Sequence, residues 1–457
     1  MSKYRAENST PTSGREISLR ALVEFEGRNT PCDSIIDKEI KKHGSGVRPV
    51  EIALATEIYY GVIRRLNTID WILSGIVDRP LESLTPWIRN ILRCGVYQLV
   101  YLSKIPARAA VYEAVKLAKK FGHPGTAALT NAVLRRVPRT PDYPDPKDDE
   151  TGFLVLSESH PRWMVKRWLA RWGYDFTLSL LRANNVPAPT FVRVNRLRTD
   201  PERLCCLLRA EGFEVAEGKY LDESLEIKGV TARLSQSASF RRGLFFIQDE
   251  ASMLPARLLD PKPGETVVDA CSAPGGKSTH IAELMGDKGR VIAVDVNPRR
   301  LELVKDNSKR LGLTSIETLC VDSSALGRMV AAKADRILVD APCSGLGTIR
   351  RNPDLKWRRK PDDIEALSRL QGEILRSVAP AVKPGGVLVY STCTTEEEEN
   401  EAQVRKFLNE HPEFDLDDPA GFLPQDLTLG ENKGFIVTYP HIHGIDGFFM
   451  ARMTRRH

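Results

Sequence analysis

The chain has 457 residues, 42% hydrophobic and 28% charged, an ordinary balance for a protein with several buried cores. No apolar run approaches the ~18 residues needed to cross a bilayer, and the opening Met1-Ser2-Lys3-Tyr4-Arg5-Ala6-Glu7 lacks the apolar stretch of a secretory signal, so a cytoplasmic protein with no membrane role is expected. The net charge of +6 is uneven: residues 1–140 hold 22 Lys and Arg against 13 Asp and Glu, which leaves −3 (6 minus 9) for the rest and draws a polyanion to the N-terminal part.

Residues 1–14, polar and rich in Ser, Thr, Pro and Gly, read as a disordered tail. Over 15–137 apolar residues recur at helical spacing, as in Ala53–Ile63, Trp87–Leu102 and Val111–Phe121. Breaks at Gly44-Ser45-Gly46, Arg79-Pro80, Ile105-Pro106 and Gly122-His123-Pro124-Gly125 divide an all-helical domain. Residues 138–152 carry Pro138, Pro141, Pro144, Pro146 and the run Asp148-Asp149-Glu150, and are expected to be a linker. A small α+β connector over 153–242 follows, with a helix opened by Pro161, a strand at Thr190–Asn195, a helix capped near Asp200 and a strand at Phe213–Val215.

Over 243–457 short apolar runs alternate with helical stretches: Thr266–Asp269, Arg290–Asp295, Ile316–Cys320, Arg336–Asp340 and Gly386–Tyr390. Strands buried on both faces and separated by helices predict a mainly parallel, doubly wound Rossmann-like sheet. The fold class expected for the whole chain is therefore multidomain α and α/β. The eight cysteines form no dense framework and no Cys-x-x-Cys pair. His441-x-His443 has no thiol at ligand spacing, so free thiols and no metal site are expected.

Ligands of such sheets bind at the C-terminal ends of the strands. Three motifs fall there. Asp269-Ala270-Cys271-Ser272-Ala273-Pro274-Gly275-Gly276-Lys277-Ser278 joins a strand to a helix, with glycines that let backbone approach a ligand and a helix N-terminus that offers free N–H groups. A phosphate-cradling NTPase loop shares Gly276-Lys277-Ser278 but needs its first glycine where Cys271 stands. Asp295, about 20 residues after the loop, and Asp322, after the next strand, suit ribose hydroxyls and a base, and favour a nucleoside over a triphosphate. Asp340-Ala341-Pro342-Cys343-Ser344-Gly345 and Ser391-Thr392-Cys393-Thr394 place two thiols at strand ends. Thr394–Glu399 reads as a helix start whose dipole favours a thiolate at Cys393 while its carboxylates oppose it. The residues alone leave open which thiol attacks.

Taken in order, these motifs resemble the S-adenosylmethionine-dependent RNA cytosine-C5 methyltransferases. With a helical part similar to NusB-like RNA-binding domains, the chain resembles the bacterial 16S ribosomal RNA enzymes of the Sun/Fmu type. Phe246-Ile247-Gln248-Asp249-Glu250-Ala251-Ser252 and Asp446-Gly447-Phe448-Phe449-Met450-Ala451-Arg452 extend the likeness over nearly all of the chain. The resemblance implies that Cys393 attacks C6 of cytosine, that Cys343 assists loss of the C5 proton and release, and that Asp340 borders both the base and the methionine end of the cofactor. It implies S-adenosylmethionine held by 271–277, Asp295, Asp322 and Asp340.

The expected partner is 16S ribosomal RNA or an early small-subunit particle, met by a monomer. Transfer RNA is the rival substrate, and a P-loop NTPase or a noncatalytic RNA-binding factor the rival classes. Arg350, Arg351, Lys356, Trp357 and Arg358, cations around one aromatic after the Pro-Cys loop, are expected to touch RNA.

Overall fold

The computed structural model describes residues 13–28, 30–43, 46–229, 234–329, 334–428 and 434–457, so nearly all of the tail expected over 1–14 lies outside the described residues. The chain divides into two compact units, one of residues up to Val186 together with Ile349–Arg358, the other of Pro187–Thr348 and Arg359–His457.

The first unit is all-helical, as its period predicts. Helices run over Gly14–Gly27, Cys32–His43, Pro49–Arg64, Leu66–Ser74, Pro86–Tyr101, Ala107–Phe121 and Pro124–Arg136. Pro49, Pro86 and Pro124 open three of them, where a missing N–H costs nothing and the ring presets φ. Ile17, Leu19, Tyr59, Val62, Leu92 and Val96 are among its fully or almost fully buried core residues. The proline-rich segment forms no helix or strand until Glu150, where Asp149 accepts from the Gly152 N–H at 2.8 Å and caps Glu150–Ser157. The acidic run expected to end a linker is thus a helix N-cap, because Asp at that position satisfies an otherwise unpaired N–H. Arg162–Asn184 follows, broken at Gly173, whose φ of 74° only glycine adopts cheaply.

Residues 349–358 are built into this unit. Lys356 is 1% exposed and its Nζ donates to Arg64 O at 2.8 Å, Ser159 O at 2.9 Å and Asn185 Oδ1 at 3.0 Å. Burial, with Arg65 and Arg64 nearby, pushes its ammonium well below the ordinary lysine range. Trp357 packs against the helical core and donates its indole N–H to Ile63 O at 2.8 Å. Arg358 pairs with Asp354 at 3.3 Å and donates to Thr30 O, and Arg350 is buried. Lys356→Met is expected to strand three acceptors and to destabilise the chain by about 2–4 kcal/mol, read as a lowered denaturation temperature in calorimetry of the full chain.

The second unit holds two sheets. Strands β1 (Thr190–Val194), β2 (Glu214–Glu217), β3 (Ser224–Lys228) and β4 (Phe245–Ile247) form an antiparallel sheet in the order β2-β3-β1-β4. The connector's sheet thus takes its last strand from beyond Arg242, a three-residue run too short to show a period. In the larger sheet β5 (Thr266–Asp269), β6 (Arg290–Asp295), β7 (Ile316–Cys320), β8 (Ala334–Asp340) and β9 (Val382–Thr392) are parallel. Antiparallel β10 (Phe414–Leu416), β11 (Phe435–Thr438) and β12 (Phe448–Arg455) complete it. The order β10-β12-β9-β8-β5-β6-β7, with β11 on β12, confirms the doubly wound fold. β5 lies between β6 and β8, so the strand order reverses there, and the crevice at that point is where such sheets bind ligands. Among the described residues, no helix is long and apolar enough to cross a membrane.

Candidate active site

Three neighbouring parallel strands deliver the three motifs. β5 ends in the glycine loop, β8 in the Pro-Cys loop and β9 at Cys393. Asp340 lies opposite Ser391, so the chain segments that leave β8 and β9 start level. The consequence is direct: Cys343 Sγ and Cys393 Sγ are 3.3 Å apart, both half-buried. The Cys393 N–H also donates to Cys343 Sγ at 3.3 Å. The Cys343 thiol is pushed well above the ordinary thiol range, first by its hydrogen bond with Cys393, then by burial and the charges of Cys393 and Glu399.

Asp340 is held from both sides. Its Oδ1 accepts from Ser391 Oγ at 2.9 Å and its Oδ2 from Lys277 Nζ at 2.7 Å. Lys277 is buried, donates also to Ser252 Oγ at 2.9 Å, and stands 5.2 Å from the Phe448 ring centroid. Lys277 thus joins the glycine loop to the Pro-Cys strand, an ion pair unlike the free lysine of a phosphate loop.

The glycine loop is fixed at several carbonyls. Ala273 O accepts from Arg300 Nη2 at 2.7 Å, Pro274 O from Asn307 Nδ2 at 3.1 Å and Gly275 O from Thr279 Oγ1 at 2.7 Å. Gly275 has a φ of 100°, which a side chain would strain, and a Cβ there would stand 3.2 Å from Val304 Cα. Beneath the loop, fully buried Arg193 of β1 donates to Gly276 O at 2.7 Å and Thr279 Oγ1 at 2.9 Å, reaches both oxygens of Glu283 at 3.1 Å, and bonds Gln248. Nothing in the motifs singled out Arg193. Its signal was a charge within the apolar alternation Phe191-Val192-Arg193-Val194.

Around this loop lie several buried polar atoms. Asp295 is buried at the end of β6, with Oδ1 accepting from the Asn297 N–H at 2.8 Å and Oδ2 only 3.6 Å from Arg300. Asp269 is fully buried, one oxygen bonded to Ser278 Oγ at 2.6 Å and the other, with Ser272 Oγ, lacking a protein partner. Burial lifts its carboxyl to about 7. Two orphaned buried polar atoms and a strand-end carboxylate beside a helix N-terminus fit a ligand bearing hydroxyls and a charged amino-acid end. Cys271 lies in the loop with its thiol pushed up by burial. Asp322 is exposed, and its Oδ1 accepts from the Ser324 N–H at 2.9 Å and hydroxyl at 2.8 Å, a turn cap as well as a strand-end carboxylate.

Two expectations change. The helix after Cys393 does not begin beside it: Glu397–Glu399 form a single 3-10 turn and the helix runs over Glu401–Glu410, so no helix N-terminus abuts the thiol. Instead the Thr394 hydroxyl accepts from the Glu396 N–H at 3.3 Å and the Thr394 carbonyl from Asn400 Nδ2 at 3.0 Å. The expected RNA contacts Arg350, Arg351, Lys356, Trp357 and Arg358 all belong to the helical unit, with Lys356 and Trp357 bonded inside it. For Lys356 and Trp357 these bonds are internal packing of the helical unit.

Family models match three stretches: "16S rRNA methyltransferase RsmB/F" at residues 256–454, the NusB family at 12–139, and the ferredoxin-like domain of the RsmF/B-like methyltransferases at 160–232. The "Probable ribosomal RNA small subunit methyltransferase B" of Bacillus subtilis (strain 168) is 40% identical over 449 residues, 97% of this chain and 99% of that protein. The "Ribosomal RNA small subunit methyltransferase B" of Klebsiella pneumoniae (ATCC 700721) is 34% identical over 97% of this chain and 98% of its own. Of solved structures, that of PH0851 superposes with a TM-score of 0.83 at 34% identity over 98% of this chain and 99% of that one. That of NSun6 from Pyrococcus horikoshii with SFG does so at 0.59 and 26% identity, over 65% of this chain and 99% of that one. Matched along almost its entire length, the chain belongs to the ribosomal RNA small subunit methyltransferase B family.

Proposed function

We propose that this chain methylates C5 of a specific cytidine in 16S ribosomal RNA through a covalent bond between Cys393 and C6 of the base. The family makes it a methyltransferase that uses S-adenosylmethionine. That cofactor supplies an electrophilic methyl group on a sulfonium. The observation that carries the finer reading is the thiol pair, 3.3 Å apart, beside an aspartate held by a lysine.

C5 of cytosine is a poor nucleophile, and addition of a thiolate at C6 makes it enamine-like, one hard step becoming several easier ones. The Sγ–Sγ contact can run in either direction; with the Cys343 thiol pushed up, we assign the S–H to Cys343, which also accepts the Cys393 N–H. This arrangement suits a thiolate at Cys393. Asp340, fixed by Ser391 and Lys277, presents a carboxylate that favours protonated N3 during the attack. Once the S–C6 bond forms, Cys393 is a neutral thioether and the largest cause of the high Cys343 pKa disappears. Cys343 then gives up its own proton to solvent and, as a thiolate, takes the C5 proton, and as it does so the S–C6 bond breaks and regenerates the Cys393 thiolate. The products are 5-methylcytidine and S-adenosylhomocysteine, with one proton released.

The helical unit is assigned the docking of RNA, as 16S ribosomal RNA or an early small-subunit particle in the cytoplasm. With 349–358 folded inside it, exposed Arg108, Arg135 and Arg139 are the cations we favour for phosphate. They line a groove of about 530 Å³ with Tyr112, which is 67% exposed and offers a stacking face. Replacing the three arginines together by alanine is expected to weaken 16S RNA binding across sequences and to lower the salt slope by about one per arginine in contact with phosphate. Filter binding from low to high salt reads both.

The function itself is tested by bisulfite sequencing of total RNA from a strain lacking the gene, with rescue by the wild-type chain. A single 16S cytidine that loses and regains protection supports the proposal. The same pattern in a transfer RNA transfers the activity there, and no change at any cytidine defeats it.

A further inference from the structure

We propose that the adjacent pair Glu399-Asn400 is the positioning device that holds the two thiols at their working separation, Glu399 governing Cys343 and Asn400 governing Cys393. The inference rests on the two-thiol reading above and extends it to residues that touch no substrate.

Each thiol is flanked by two residues, and all four are bonded to this pair directly or through one intermediary. Before Cys343, Pro342 O accepts from Gln371 Nε2 at 2.9 Å, and the same nitrogen donates to Glu399 Oε1 at 3.0 Å. After Cys343, the Ser344 N–H donates to Glu399 Oε1 at 2.8 Å and its hydroxyl to Glu399 Oε2. Around Cys393, the Thr392 hydroxyl bonds Asn400 Oδ1, and Asn400 Nδ2 donates to Thr394 O at 3.0 Å. One contact joins the halves: Ser344 Oγ and Thr394 Oγ1, the residues after each cysteine, are 2.7 Å apart. The pair is itself anchored, since Tyr390 of β9 donates its hydroxyl to Glu399 O at 2.6 Å.

Glu399 is fully buried and Asn400 nearly so, yet Glu397 and Glu398 in the same acidic run are exposed. A buried carboxylate is tolerated only where donors meet it, and three donors meet this one. Burial lifts its carboxyl above the ordinary range while the Ser344 and Gln371 bonds pull the other way. Reacting groups misplaced by ~1 Å lose about 10²-fold in rate, so a device that sets each loop separately predicts a separate failure for each loop.

The test uses the full-length chain, S-adenosylmethionine and an unmodified 16S transcript, with the covalent RNA–protein band read on denaturing gels against methyl transfer. Glu399→Ala is expected to leave adduct formation within about threefold of wild type and to raise the steady-state adduct about tenfold, because release through Cys343 slows. Asn400→Ala is expected to slow adduct formation by about 10² with no accumulation, because Cys393 is displaced. Glu399→Gln, which keeps the shape and one acceptor, should lie between wild type and Glu399→Ala, and replaces it if that variant fails to bind S-adenosylmethionine.

Parallel loss of both steps in both variants, or no change in either, overturns the proposal. Thiol alkylation by iodoacetamide gives a second reading that needs no RNA: Cys343 should react faster in Glu399→Ala and Cys393 faster in Asn400→Ala. Unchanged rates at both thiols also overturn it. If Cys343→Ala gives no adduct while the alkylation pattern holds, the release role of Cys343 fails and the positioning device stands.

Discussion

Cys343→Ala is expected to trap the enzyme on its RNA as a covalent adduct stable to denaturation, and Cys393→Ala to form none. The expectation follows from the order of events at the pair. On the proposed mechanism, with Cys393 intact the thiolate can still add to C6 and Asp340, still paired with Lys277, is left to meet the ring edge, so methyl transfer is expected to proceed. What Cys343→Ala removes is the group nearest to Cys393 that can take the C5 proton, and without that loss the S–C6 bond persists.

Turnover in Cys343→Ala should fall by about 10²–10⁴, the usual contribution of a positioned acid or base, while a single methyl group per enzyme is still transferred. Cys393→Ala should lose turnover entirely, because the chemistry has no nucleophile. A pulse with labelled S-adenosylmethionine followed by a denaturing gel reads both results, and the reverse pattern exchanges the two roles. The wild-type pair should also be more reactive towards alkylation at Cys393 than at Cys343, whose proton is held by its neighbour and by burial.

The proximity of these thiols was legible because both follow buried β runs. A strand buried on both faces has little freedom in direction, and the end of such a strand in a doubly wound sheet has a known place. The same reasoning located Asp295 and the glycine loop. It failed at residues whose meaning depends on what lies across the fold. Lys356 and Trp357 have the composition of an RNA contact, and only the carbonyls of Arg64, Ser159 and Ile63, far away in sequence, make them internal. Glu399 is one of four consecutive glutamates, and a run of that kind reads as a solvated helix start. Its bonds come from the Pro-Cys loop, more than fifty residues earlier, which brings Ser344 to it. Local patterns report where a chain can be buried; they do not report which polar residue will find donors there.

Arg193 is the sharpest case, and it carries the largest expected effect on stability. Arg193→Met is expected to destabilise the protein by about 3–5 kcal/mol near neutral pH, the cost of leaving a buried partner charge uncompensated. The guanidinium has no exposure, and its loss leaves Glu283 inside the second unit without its cation and Gly276 O without its donor. Burial already raises the Glu283 carboxyl above its ordinary range, with Arg193 as the leading opposing influence, so removing Arg193 moves it further up.

A raised folded pKa means that protonation favours the native state. The stability regained is complete below the unfolded carboxyl range and is lost again as pH rises through the raised native value. The defect of Arg193→Met should therefore shrink on acidification and widen towards neutrality. Adding Glu283→Gln should recover most of it at neutral pH, because a neutral side chain in that pocket needs no cation. Urea melts of the three variants across this pH range read the effect. A defect independent of pH, or one that Glu283→Gln leaves untouched, would assign Arg193 to simple packing. Affinity for S-adenosylmethionine adds a second sign: if the glycine loop holds it as proposed, Arg193→Met should weaken it and Glu283→Gln alone should not, since the bond to Gly276 O belongs to the arginine.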